Sequence, residues 1–204
     1  MEDLTSQIDN YSDEYLAIKR QAKKYFRNNS TIDNNDTLNI FHRPWVAPFN
    51  WGLNIYKGAD KDWLEQFEQE TKKIIPTFYK RFLSAINGCF IYDLSLFGLP
   101  PSLYLNRTLD RSQLQCQDLG SANTNWIYEY RVDQNSFHFG NRAYTHDENL
   151  GYFFYENKIK SIRTNGRTVS EWDNYSAFLN DEIKEAEKMM LKDVPKQVKI
   201  LTNE

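Results

Sequence analysis

FHFGNRAYTHDENLGYFFYENK, residues 137–158, is the stretch on which the fold turns. Phe137 and Phe139 alternate with His138, LGYFFY is apolar on both sides of an extended chain, and KIKSIRT follows the tight-turn pair Asn157-Lys158. Alternation with period two is a strand signal, and a run that is apolar at every position reads as a strand covered on both faces. Asn165-Gly166 marks a further turn, so the region reads as an antiparallel meander. Gly140 and Gly151 are expected to flank its irregular connection, and His138 to face away from the core toward an exposed edge.

Helical spacing brackets this block. After it, Tyr175, Phe178, Leu179, Ile183, Ala186 and Met190 fall on one face of a closing helix capped near Asp173. Before it, Trp126, Ile127 and Tyr130 suggest a short helix, and CFIYDLSLFGL reads as a strand cut at Gly98, with SLYL (102–105) as another. Upstream, Asp60 is placed to cap a helix with Trp63, Leu64, Phe67 and Ile74 inward, and Lys72 and Lys73 in its last turn. Pro76 opens the next helix, with Phe78, Phe82, Leu83 and Ile86 inward and Asn87-Gly88 as a left-handed stop.

The first residues are different in character. Tyr11, Tyr15, Ile18, Ala22 and Tyr25 share a helical face; NNSTIDNNDTLN then reads as a linker, and IFHRPWVAPFNWGLNIYKG, with Pro44 and Pro48, as an extended segment pinned along the body by its tryptophans. Helices, then strands, then a helix is the order of an α+β domain with helices gathered against one face of an antiparallel-rich sheet. The expected division is an N-terminal extension over 1–58, the α+β domain over 59–194 and a polar tail over 195–204.

Composition narrows the function classes. A chain of 204 residues can bury roughly 70% of its unfolded surface in one domain. Thirteen Tyr, thirteen Phe and five Trp fill that core with rings and leave some as surface anchors. A net charge of −3, with acids and bases interspersed, lacks the basic stripe of a nucleic-acid binder. The polar, acidic start and the lack of a ~20-residue apolar run imply neither secretion nor a membrane span, so the expected compartment is the cytoplasm. Cys89 and Cys116 are expected as reduced thiols, at least one of them in the core, since neither has a zinc-type spacing.

Four blocks carry a resemblance: IIPTFYKRFLSAINGCFI, DLSLFG, FHFGNRAYTHDENLGYFF and SIRTNGRTVSEWDNYSAFLNDE. Over roughly residues 60–190 they resemble the SUKH superfamily, which includes a fungal regulator of cell-wall assembly and killer-toxin resistance and many bacterial immunity proteins encoded beside polymorphic toxins. The matching positions, among them Pro76, Asn87-Gly88, Gly140, Gly151, Trp172 and Phe178-Leu179, are structural ones, and no catalytic set comes with them. The resemblance implies a non-enzymatic immunity protein that occludes a cognate toxin, possible nucleases included. The alternative it leaves is a regulatory scaffold that recruits partners through residues 1–58.

Chemistry-bearing residues are few. His138, His146, Asp147 and Glu148 form the one cluster that could pass for a metal or acid/base site, but no third or fourth ligand is spaced to join them. There is no G-x-S-x-G and no glycine-rich phosphate loop, so no cofactor is expected. Partner-contact candidates are Tyr144, His146, Asp147 and Glu148 in the meander connection, with Asp62 and Glu65 on an acidic helix that would steer a cationic toxin.

Overall fold

A computed structural model of the chain describes residues 8–9, 11–27, 29–100, 115–145 and 148–203. Among them, nine strands form a single antiparallel meander in which each strand pairs with the next: β1 (Thr31–Ile32), β2 (Leu38–His42), β3 (Trp51–Lys57), β4 (Ile86–Ile91), β5 (Leu94–Leu96), β6 (Phe137–Thr145), β7 (Glu148–Tyr155), β8 (Lys158–Ile162) and β9 (Thr168–Trp172). The helices are α1 (Leu16–Tyr25), α2 (Lys61–Thr71), α3 (Thr77–Ala85), the short α4 (Leu119–Thr124) and α5 (Tyr175–Lys192). The architecture is α+β.

Register sorts the side chains. Leu38, Ile55, Cys89 and Leu96 stand opposite one another across four strands, as do Ile40, Leu53, Ile91 and Leu94. Their face is the main core, where α3 and α5 lay Tyr79 and Phe178 against Phe137, Phe139 and Tyr152. A fully buried Phe such as Phe139 contributes about 2–3 kcal/mol through removal from water. All six residues expected on the inner face of the last helix are buried, and Asn174, one position past the expected cap, accepts a hydrogen bond from the Ala177 N–H.

The N-terminal reading needs correction. NNSTIDNNDTLN is a hairpin, not a linker: Asp33 accepts from the N–H groups of Asn35 and Thr37, which curls β1 back onto β2. The Pro-containing segment is extended, but as β2 and β3 within the sheet, with Leu53 opposite Ile91 and Ile55 opposite Cys89. Alternation in LNIFH and WGLNIYK was masked by the two prolines, which lie in the loop between them.

Four boundaries also shift. The α2 helix ends at Thr71, where Lys72 turns left-handed (φ 57°), so Ile74 is exposed and Ile75 is buried in its place. Asn87-Gly88 is not a helix stop: α3 ends at Ala85 and β4 already contains both residues. The buried Asn87 side chain donates to the Leu99 carbonyl and accepts from the Leu99 N–H at 2.8 and 2.7 Å, pairing with backbone as a strand neighbour would. CFIYDLSLFGL is two strands, folded at Tyr92-Asp93. The β7–β8 turn is Glu156-Asn157, both left-handed, which suits the twist of a two-residue hairpin. Residues 102–105 lie outside the described residues.

Gly140 and Gly151 sit inside paired strands and do not flank a connection. At Gly151 a Cβ would lie 2.8 Å from Cζ of Tyr130, whose ring rests on β7 there. That ring belongs to a second, smaller core on the opposite face, built by Ile127, Tyr130, Phe153 and Ile162 under the 3-10 turn Trp126–Glu129.

Candidate functional site

In a meander, alternate connections emerge at the same end of the sheet. The β2–β3 loop (43–50), the β4–β5 turn Tyr92-Asp93, the last residues of β6 with the first of β7, and the β8–β9 loop (163–167) therefore share one end. The α5 helix starts at the other end, and its 18 residues span about 27 Å. Its last turn reaches the shared end, where Met189, Met190 and Asp193 join Arg43, Tyr92, Asp93 and Tyr144 around an open cleft of about 350 Å³.

Charge in the cleft is unevenly satisfied. The Arg43 guanidinium lies over the Tyr92 ring at 5.9 Å and donates to Asn50 Oδ1 (2.9 Å) and the Trp51 carbonyl (3.3 Å). Burial opposes its charge, while Tyr92, Asp93 and Asp193 favour it. Burial likewise holds the Asp93 carboxyl above its ordinary range against the pull of Arg142, and its Oδ1 has no hydrogen-bond partner. Beneath, Arg142 is paired with Glu182 of α5 at 2.8 Å, with the Tyr152 hydroxyl donating to the same carboxylate. Burial works against the Arg142 cation, but Tyr152 and Glu182 outweigh it.

Tyr144, 40% exposed, forms one rim, with the Arg163 guanidinium 5.3 Å from its ring centre. Glu148 holds Arg163 in that position: Arg163 Nε lies 3.0 Å from both carboxylate oxygens and Nη2 2.6 Å from one, and Thr164 adds a hydroxyl at 3.2 Å. The Arg163 hydrogen bonds accordingly keep the Glu148 carboxyl below its ordinary range. Glu148 thus has an internal partner, and the groups it presents outward are Arg163 and Tyr144.

The other expected site residues scatter. Asp62 and Glu65 are exposed on α2, which begins after the far end of β3, so the sheet separates them from Tyr144; Glu65 pairs with Lys61 at 3.2 Å. His146 and Asp147 lie outside the described residues.

His138 is not at an exposed edge. It is 1% exposed, stacked on Phe153 at 4.4 Å between centroids, and its backbone is clasped by Asn123 through bonds of 3.0 and 2.8 Å. The opposite face of the sheet is covered there by the 3-10 turn, which no periodicity in the strand itself reveals. His138 stands opposite Phe153, five residues along β7 from Glu148 and so about 17 Å away. The two cannot share a proton or a metal. Among the described residues, no group of three or more His, Cys, Asp or Glu is arranged to hold a metal ion.

Sequence reasoning missed Arg43, Asp93, Asp193, Met189 and the loop tip. The available signals were an Asp interrupting the apolar run FIYDLSL and an apolar RPWVAPFN between two alternating stretches. Both cysteines are free and buried, with thiols that burial pushes up beyond reach of ionisation near neutral pH. Among the described residues no helix is long and apolar enough to cross a membrane. Compared with known proteins, the chain matches no family model, no characterised protein and no solved structure.

Proposed function

We propose that this chain is an immunity protein of the SUKH kind, which binds a cognate polymorphic toxin, nucleases among the candidate classes, and neutralises it by covering its working surface. No bond is made or broken in this reading. It is supported by the four sequence blocks and, above all, by the end of the sheet that gathers Tyr144, Met189 and the Arg43–Asp93–Asp193 cleft. Aromatic, Met and Arg side chains are the types enriched in protein interfaces, and a cleft with incompletely paired charges gains most from a partner that completes them.

Protection requires slow release, so the expected complex buries about 1,600 Å² with a dissociation constant of roughly nanomolar or below. The test is co-expression with the product of the adjacent open reading frame, followed by pull-down and a survival assay. Co-purification with rescue supports the reading; neither complex nor rescue overturns it.

A second reading, a regulatory scaffold that recruits several partners through residues 1–58, is favoured by one observation: among the described residues the most exposed ring, Phe49, belongs to that segment. It differs in predicting several unrelated partners competing for one surface, where an immunity protein has one.

A further inference from the structure

The β2–β3 loop is internally hydrogen-bonded yet presents apolar side chains to water. Phe49 is 92% exposed and Val46 56% exposed. Five hydrogen bonds hold the loop that carries them: Arg43 N–H to the Asn50 carbonyl (2.8 Å), Val46 N–H to Arg43 (3.0 Å), Asn50 N–H to Ala47 (3.0 Å), Arg43 Nε to the Asn50 side chain (2.9 Å) and His42 Nε2 to the Pro48 carbonyl (2.9 Å). Trp45 adds an edge-to-face contact with Phe41. A loop already fixed in one shape loses little conformational freedom when it docks.

Arg43 links this loop to the neighbouring cleft, where the carboxylates of Asp93 and Asp193 both act on its one guanidinium. The cleft therefore carries net negative charge, since Arg142 below it is committed to Glu182. With a net charge of −3 over the chain, an anionic lipid surface is a poor match for this end and a basic protein a good one.

We infer that the β2–β3 loop is a preformed anchor whose Phe49 enters an apolar pocket on a basic partner protein, while a lysine or arginine of that partner is received between Asp93 and Asp193. The inference rests on the proposed reading that the chain binds a toxin, and it names the contact and the partner's chemistry.

The test measures affinity for the purified product of the adjacent open reading frame. Phe49→Ala removes a ring that packs on almost nothing, so the thermal unfolding midpoint stays put, and binding is expected to weaken by about 30-fold or more, as for a central aromatic anchor. Tyr128→Ala, exposed on the turn over the other face, is expected to change binding less than about threefold. The double variant Asp93→Asn/Asp193→Asn is expected to bind more weakly and with a flatter salt dependence. If the wild type binds and Phe49→Ala binds within about threefold of it, the anchor is refuted and the immunity reading stands. If Phe49→Ala instead converts a wild-type dimer to a monomer, or abolishes capture by anionic vesicles, with partner affinity unchanged, the occupant assigned here is wrong. If the wild type fails to bind at all, the immunity reading falls and the inference falls with it.

Discussion

Burial of His138 should make the fold acid-sensitive by a calculable amount. The imidazole Nε2 donates to the Gly140 carbonyl at 3.1 Å, so the neutral ring is the Nε2–H tautomer; Nδ1 makes no hydrogen bond of good geometry. Burial drives the ring's pKa down from its ordinary 6.5 to about 3, against a smaller opposite pull from the Ala122 and Gly140 backbone. A folded-state pKa below the unfolded one means that the unfolded chain takes up the proton first. Stability from this group is thus complete above pH 6.5 and is lost as the pH falls toward 3. The linkage relation gives a loss of about 2 kcal/mol at pH 5 and about 3 kcal/mol at pH 4. Urea unfolding at pH 7.5 and pH 5, for wild type and His138→Gln, isolates the effect. The glutamine can keep an N–H on the Gly140 carbonyl and cannot titrate, while all carboxylates contribute alike to both proteins. Wild type is expected to lose about 2 kcal/mol more than the variant between the two pH values, and equal losses would refute the buried neutral histidine.

Two further outcomes follow from packing. Glu182→Ala leaves the Arg142 guanidinium without its carboxylate in a nearly closed site (side chain 10% exposed) and should cost about 3–5 kcal/mol in chemical denaturation, with Glu182→Gln costing less because it retains an acceptor. A stability loss under 1 kcal/mol for the alanine would contradict the pairing. Deleting residues 1–58 strips β2 and β3 from β4 and leaves Cys89 and Ile91 on a raw edge, so the remainder should give no cooperative unfolding and should be rapidly digested by protease. A well-dispersed amide spectrum from residues 59–204 would show that those strands are dispensable.

Legibility in the sequence differed from element to element. The α5 face was readable because six apolar residues recur at helical spacing with no proline or glycine among them. LGYFFY was readable because strand alternation and continuous apolarity are both local. By contrast, LNIFH and WGLNIYK are short, and the prolines between them made the whole segment look irregular, although each half alternates. Asn87-Gly88 has the chemistry of a helix stop, yet Gly88 uses its left-handed freedom (φ 80°) inside β4, where the Leu96 carbonyl lies 2.7 Å from where a Cβ would be. His138 was misplaced because the element that buries it lies nine or more residues away, in the 3-10 turn Trp126–Glu129.

The sequence by itself determined the long helices, the β7–β8 part of the meander and the α+β class, because helix and strand periods and turn residues act over a few positions. Only the tertiary structure decided the surface. Arg43, Asp93, Tyr144 and Asp193 are separated by up to 150 residues, and each is ambiguous alone. What brings them together is the meander, which returns alternate loops to one end, and the length of α5, which carries its last turn there.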